Sequence, residues 1–123
     1  MRNLVIVLYS VVFAGSLMLY QTQLDSPVVE DRGRLLPVKM KSIKSSDSED
    51  EIKSIIRKAS RHGDKISIAG MQHSQGGQTL YPGGILLDMK QYNKILELDG
   101  KNKLITVQSG VTWADIQSYI NPY

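Results

Sequence analysis

The first hydrophobic pattern along the chain is one continuous apolar run. It extends over residues 4–20, contains no charged side chain and follows Arg2. A helix of this length covers about 26 Å, close to the roughly 30 Å hydrocarbon core of a bilayer. The run exceeds the apolar region of a usual signal peptide, about 7–15 residues, and no small-residue cleavage pattern closes it. The pattern therefore predicts a signal anchor, or alternatively a signal peptide, over residues 1–20. Because a basic N-terminus tends to stay on the cytoplasmic side, Arg2 favours an extracytoplasmic position for the rest of the chain, whether it is membrane-anchored or secreted.

The hydrophobic pattern that follows is broken and then becomes regular. Residues 21–36 combine mixed charge with turn-forming residues, which predicts a linker, and ordered structure is expected from about residue 37. Apolar and polar residues alternate over residues 38–43, which predicts a half-buried strand. Ser48 and Glu51 have the spacing of a capping box at the start of an amphipathic helix, and Gly63 is suited to end it.

The second half of the chain contains short strand patterns and one more helix. Asp99-Gly100-Lys101-Asn102 predicts a hairpin turn. Thr112 and Asp115 repeat the capping-box spacing, and Trp113 is expected in the buried face of that last helix. The predicted strands are 65–69, 85–87, 95–98 and 104–107. Together the elements predict an α+β fold, a small mixed sheet with helices on one face, preceded by the N-terminal apolar helix. The opposite face would be incompletely buried, which predicts poor solubility of the chain alone.

Composition excludes several classes of function. The chain has 15 basic and 12 acidic residues without a basic stripe, so no nucleic-acid partner is expected. It has no cysteine, which excludes disulfides and thiolate chemistry. Its two histidines, His62 and His73, have no metal-site spacing, and the acidic residues 47–51 are interpreted as a helix start. No metal site is predicted.

The segment between residues 70 and 84 carries the candidate chemistry. It follows a predicted strand, is rich in Gly, Gln and Ser, and is long for a connection in a compact domain. Glycines allow consecutive N–H groups to point at one anionic oxygen, so such a loop can bind a diphosphate without Lys or Arg. The segment is neither a GxGxxG fingerprint nor a Walker loop.

These residues resemble a known family. His73-Ser74, then Gly77-Gln78, preceded by Gly70 and followed by Pro82-Gly83-Gly84 and an apolar strand ending in Asp88, resemble the first FAD-contacting loop of flavoproteins of the vanillyl-alcohol oxidase and p-cresol methylhydroxylase type. Among these the motif is similar to cytokinin dehydrogenases. The later segment 107–113, leading into a helix, occurs in the same order there. The resemblance covers residues 38–123.

The resemblance implies a cofactor site. Backbone N–H groups of Gly70, Met71 and Gln72 would hold the FAD pyrophosphate, with the side chains of Ser74 and Gln78. The loop also includes His73 and Gly77. In several family members the corresponding histidine is bonded through a ring nitrogen to the C8 methyl carbon of the isoalloxazine. Covalent and non-covalent binding both stay open for His73, and a solvated surface histidine is the alternative.

The resemblance also implies what residues 37–123 lack. They would form a partial FAD-binding domain, without the family's second FAD loop and its substrate domain, so no catalytic residue is predicted. The expectation is a truncated product, an excised fragment, or one half of a split protein completed by a second chain. The parent reaction would be hydride transfer from an alcohol or amine C–H to FAD. The alternatives are a non-catalytic membrane-attached module or inactive remnant, and a module for another nucleotide.

Overall fold

The computed structural model describes residues 2–34, 36–73 and 76–122. Its first element is helix α1 (Arg2–Leu24), which continues four residues beyond the predicted apolar segment. The side chains of residues 5–22 are all exposed. The window Val5–Thr22 is long and apolar enough to cross a membrane, by length and composition alone. The helix therefore presents an apolar surface that no other part of the described chain covers.

A parallel three-stranded sheet forms the centre of the fold. Strands β3 (Ser42–Ser45), β4 (Ile66–Ala69) and β5 (Ile85–Asp88) lie in the order β3-β5-β4. Helix α2 (Glu49–His62) makes the crossover from β3 to β4 that parallel strands require. Ile85, Leu86 and Leu87 are all buried, as expected for a central strand covered on both faces.

A short antiparallel pair flanks this sheet and occupies much of the predicted linker. Strand β1 (Val28–Val29) pairs with β2 (Val38–Lys39). The predicted strand over 38–43 is divided at Met40–Lys41, because β2 pairs with β1 whereas β3 pairs with β5. Ordered structure thus begins before residue 37. Pairing partners supplied from elsewhere in the chain override the polar, turn-rich composition of this segment.

The hydrophobic core is small and joins both sheets. Its buried residues are Met40, Ala69, Leu80 and Leu86, and Val29 and Val38 pack against them. Ala69 directly precedes the glycine-rich loop and Leu80 lies within it, so the core fixes both the strand before the loop and one residue of the loop itself. The position of the loop therefore depends on the β1–β2 pair as well as on the parallel sheet.

The start of α2 differs from the predicted capping box. Ser48 occupies the N-cap position but its side chain makes no capping hydrogen bond. Instead the buried Ser46 hydroxyl accepts from the Ser48 N–H at 2.9 Å and donates to Glu51 Oε2 at 2.7 Å. The predicted N-cap position of Ser48 is correct but its predicted capping bonds are absent, because the Ser46 hydroxyl binds both the Ser48 N–H and the Glu51 carboxylate. Gly63 ends the helix with φ of 69°, as predicted.

The last part of the chain is a hairpin followed by a helix. Strands β6 (Ile95–Asp99) and β7 (Leu104–Val107) pair antiparallel around the predicted turn, where the Asp99 carboxylate accepts two hydrogen bonds from Asn102. Helix α3 (Trp113–Ile120) follows. The strands are thus distributed over three small sheets in the described residues, two antiparallel and one parallel. The α+β class and the N-terminal apolar helix are confirmed.

Candidate functional site

The glycine-rich loop begins directly after β4 and has unusual backbone geometry. Gln72 has φ of 52°, and Gly76 and Gly77 have φ of 112° and 72°. A positive φ in a residue other than glycine is uncommon, and such conformations concentrate at ligand-binding segments. In the described part of the chain, the N–H groups of Met71 and Gln72 have no hydrogen-bond acceptor. The loop thus offers donors to a ligand.

One side of the loop faces a cleft of about 540 Å³. Gly70, Met71 and His73 form one wall. Residues 109–114, which comprise the connection after β7 and the first two residues of α3, form the other. The volume falls within the range of ligand pockets, roughly 300–1,000 Å³. The imidazole of His73 is exposed and shares this cleft with the side chain of Trp113.

The position of Trp113 corrects the prediction that it belongs to the core. Its side chain is 82% exposed and lines the cleft. The periodicity of α3 had placed it on the apolar face together with Ile116, which is half-buried. Trp113 is the first residue of the helix, and at that point the described chain has no layer to pack over the indole. An exposed indole opposite His73 is suited to contact a planar ring.

The wall opposite the loop is held by one close backbone approach and one helix cap. The Gly110 N–H donates to the Tyr92 carbonyl oxygen at 2.7 Å, and a Cβ at Gly110 would lie 2.0 Å from the Met89 carbonyl oxygen. Thr112 and Asp115 form the predicted capping box, which is confirmed. Hydrogen bonds from Thr112, first its side chain and then its N–H, hold the pKa of Asp115 below its usual range.

The other half of the loop is bound to a carboxylate that the sequence analysis did not identify. Asp31 Oδ2 accepts the Gly76 N–H at 2.6 Å and the Gly77 N–H at 2.8 Å. Asp31 is 4% exposed and follows β1. The Gly76 N–H is the principal cause of a pKa for Asp31 below its ordinary value, with further donation from Gly77, Arg34 and Gly33, although burial acts in the opposite direction. The loop therefore does bind an anionic oxygen through consecutive N–H groups.

A second cavity lies between this segment and the loop. It has a volume of about 430 Å³, and its lining includes Glu30, Asp31, Arg32, Arg34, Met71 and Gln72. Two buried polar atoms here have no partner in the described structure, Asp31 Oδ1 and Gln72 Nε2. One is an acceptor and the other a donor. Both atoms are buried beside the cavity, where an unpaired acceptor and an unpaired donor are uncommon in folded proteins.

The structure distributes the predicted site residues over two surfaces. Gly70, Met71 and His73 lie together at the cleft, whereas the Gln72 side chain lies at the second cavity. The Gly77 N–H is donated to Asp31, and the Gln78 side chain lies beside Gly76. Ser74 lies outside the described residues. No group of three or more His, Asp or Glu residues suited to a metal occurs in the described ranges.

Comparison with known proteins supports FAD as the cofactor, as the sequence motif implies. A family model described as an FAD binding domain matches residues 29–123. Decaprenylphosphoryl-beta-D-ribose oxidase of Mycolicibacterium smegmatis is 26% identical over 91 residues, which are 74% of this chain and 20% of that protein. An uncharacterized oxidoreductase from the fasciation locus of Rhodococcoides fascians is 27% identical over 66 residues, which are 54% of this chain and 15% of that protein.

The chain thus spans a fifth or less of the length of these curated relatives. The family match, in contrast, covers most of the chain and begins at Val29, the second residue of β1. It therefore includes Asp31, the glycine-rich loop and both walls of the cleft. On this match, the chain belongs to the FAD binding domain family.

Proposed function

We propose that this chain supplies the diphosphate-binding part of an FAD-dependent oxidoreductase. The observation that carries the proposal is the loop after β4, which binds a carboxylate oxygen through two consecutive glycine N–H groups and borders an apolar cleft. The FAD binding domain match and the oxidoreductases among the relatives support it. When bound, FAD would accept a hydride from an alcohol or amine C–H.

The residues at the cleft fit the cofactor in chemistry. The N–H groups of Gly70, Met71 and Gln72 would hold the diphosphate, with the side chains of Ser74 and Gln78 as further predicted contacts. The Gly77 N–H is donated to Asp31, so Gly77 would support the loop and not the diphosphate directly. The apolar lining around Val111 and Trp113 suits the ring systems of a dinucleotide. His73 and the diphosphate loop belong to one segment, so a cofactor held by that loop would extend past the imidazole.

We further propose that His73 is the point of covalent attachment. A ring nitrogen would bond to the C8 methyl carbon of the isoalloxazine, replacing one hydrogen on each atom. Dioxygen is the class of oxidant that would accept the two electrons and two protons released. The role requires an imidazole that is open to the cleft, and the exposed His73 side chain meets this requirement.

Two further parts of the proposal concern the membrane and the rest of the flavoprotein. Helix α1 would anchor the chain in a membrane, with the globular part outside the cytoplasm, and its uniformly exposed apolar side chains support this. Further flavoprotein sequence, as more of the same protein or as a second chain, would supply the second FAD loop and the substrate domain. Exposed apolar residues on the sheets support such a cover, namely Ile43, Ile68, Leu96 and Leu104.

The decisive experiment measures flavin bound to the full chain in detergent micelles. After incubation with FAD and removal of free cofactor, visible absorbance is recorded before and after acid precipitation. Colour retained in the denatured pellet, lost in His73→Ala and kept in the control His62→Ala, is expected for covalent attachment. His62 lies at the end of α2, where its ring bonds to the Lys58 carbonyl oxygen, so it is a matched histidine away from the cleft.

Other outcomes separate the alternatives. Colour that is present in the folded sample but washes out on denaturation would show non-covalent binding, and the proposal for His73 would be wrong. A folded sample without flavin would favour the non-catalytic membrane module or an inactive remnant. Equal binding of ADP and FAD, without preference for the flavin, would favour a module for another nucleotide.

A further inference from the structure

We propose that Asp31 is the positioning residue of the cofactor loop: its carboxylate holds the second half of the loop so that the N–H groups of the first half are presented to the diphosphate. This inference rests on the proposed function. It starts from the two hydrogen bonds at 2.6 and 2.8 Å from Gly76 and Gly77 to Asp31 Oδ2. Asp31 would act through the loop and would not touch the cofactor.

Asp31 is a firm attachment point because the segment that carries it is anchored on both sides. The β1–β2 pair is bound to the rest of the fold by the Gly83 N–H, which donates to the Lys39 carbonyl oxygen, and by the Lys41 N–H just after β2, which donates to the Gly84 carbonyl oxygen, each at 2.8 Å. Val29, two residues before Asp31, packs against the hydrophobic core. The carboxylate is thus connected to the same core that holds Ala69, directly before the loop, and Leu80, within the loop.

The loop needs such an attachment because glycine-rich backbone loses much conformational entropy when it is ordered. Gly76 and Gly77 both have positive φ, which turns their N–H groups toward one point. A buried carboxylate at that point is a charge-assisted acceptor for both donors, and such hydrogen bonds are stronger than neutral ones. The order of the loop therefore depends on a negative charge contributed from 45 residues earlier in the chain.

The carboxylate is placed to support the cofactor site rather than to occupy it. Gly70, Met71 and His73 line the cleft, whereas Asp31 lines the second cavity. Gln72 connects the two surfaces, since its neighbours in sequence face the cleft and its own side chain lies with Asp31. Its unpaired Nε2 and the unpaired Asp31 Oδ1 are a donor and an acceptor on one cavity. A bond between them would extend the attachment to the first half of the loop.

The first test is independent of the cofactor. Amide proton chemical shifts and hydrogen exchange of Gly76 and Gly77 are measured by NMR on the full chain in micelles, for wild type, Asp31→Asn, Asp31→Ala and the control Glu30→Gln. The control removes a negative charge from the neighbouring residue, whose side chain pairs only with Arg34 at 3.9 Å in the described structure. We expect upfield shifts and faster exchange confined to the loop for Asp31→Ala. Smaller changes are expected for Asp31→Asn, which keeps one oxygen acceptor, and none for Glu30→Gln.

The second test measures the dissociation constant for FAD on the same samples. Asp31→Ala is expected to weaken FAD about tenfold or more at a temperature where far-UV circular dichroism shows the fold intact, with Asp31→Asn between it and wild type. If Asp31→Ala does not fold, the Asp31→Asn comparison carries the test. Unchanged loop amides or unchanged affinity in these variants would overturn the proposal. Tighter binding would also overturn it, because Asp31 would then compete with the diphosphate.

If the proposed function is wrong, the wild-type chain will not bind FAD, whatever the NMR data on the loop amides show. In that case the role of Asp31 toward the cofactor is overturned as well, and the amide data assign Asp31 to the order of the loop alone.

Discussion

The Gly110 N–H donates a 2.7 Å hydrogen bond to the Tyr92 carbonyl oxygen, and this bond joins the segment between β7 and α3 to the turn that follows β5. The same contact places residues 109–114 opposite the glycine-rich loop. A Cβ at Gly110 would lie 2.0 Å from the Met89 carbonyl oxygen and 2.7 Å from that of Tyr92. Backbone atoms cannot move aside as a flexible side chain could, so the cleft depends on a glycine at this position.

We therefore expect Gly110→Ala to displace one wall of the cleft. The free energy of unfolding should fall by about 1–3 kcal/mol, as in overpacked sites, and FAD affinity should fall with it. Urea denaturation and FAD titration check this. The control is Gly100→Ala, since a Cβ at Gly100 meets no atom within 4 Å. An equal loss of unfolding free energy and of FAD affinity in the two variants would contradict the close backbone approach at Gly110.

The two serines before α2 offer a direct test of the helix start. Ser46→Ala removes a buried hydroxyl that accepts from the Ser48 N–H and donates to Glu51, and it should lower the free energy of unfolding by about 1–2 kcal/mol. Ser48→Ala should cost much less, because the Ser48 side chain makes no capping bond. Denaturant unfolding of both variants measures the two losses of unfolding free energy. A larger loss for Ser48→Ala would restore the simple capping box.

The N-cap of α3 should matter for stability and for the cleft. Thr112 Oγ1 accepts from the Asp115 N–H at 3.2 Å, and the Asp115 carboxylate accepts from the Thr112 N–H at 2.9 Å. Thr112→Ala should cost about 1 kcal/mol, whereas Thr112→Ser keeps the hydroxyl and should be nearly neutral. The measurement is the free energy of unfolding. A similar loss in both variants would point to the methyl group and away from the cap.

The single tryptophan should report on cofactor binding. Trp113 lies in the cleft and is 82% exposed, so the chain without cofactor should show the emission of a solvated indole. Addition of FAD should quench this emission strongly, because the flavin rings would lie in the same cleft. ADP, which lacks the flavin, is the control and should have a smaller effect. Unchanged fluorescence at saturating FAD would exclude the cleft as the flavin site.

The stability contributed by Asp31 should depend on pH in a defined direction. Hydrogen bonds from Gly76 and Gly77 lower its pKa in the folded chain, so the folded state favours the carboxylate. This contribution is complete above the ordinary pKa of about 3.9 and declines as the pH falls through the lower pKa of the folded state. The stability difference between wild type and Asp31→Asn should therefore narrow as the pH falls below about 4. A difference independent of pH would contradict this role of the charge.

Local sequence patterns were sufficient for the elements whose determinants lie close together in the chain. The apolar run predicts α1, the turn at residues 99–102 predicts the β6–β7 hairpin, and Thr112 with Asp115 predicts the cap of α3. The motif from Gly70 to Gln78 could be compared with a known FAD loop because its residues are contiguous, and its role in binding FAD stays a prediction. The assignment of individual cofactor contacts within that loop stays a prediction.

Only the tertiary structure decided the contacts made over long distances in sequence. Asp31 meets Gly76 and Gly77 across 45 residues or more, and nothing in the composition around Asp31 distinguishes it from a linker residue. Trp113 has the spacing of a core residue, yet its burial depends on which surfaces are present to cover it, and it lies open in the cleft. Sequence by itself determines short-range hydrogen bonding and apolar periodicity. The packing of distant segments determines which polar groups are buried, which rings are exposed and how the loop is held.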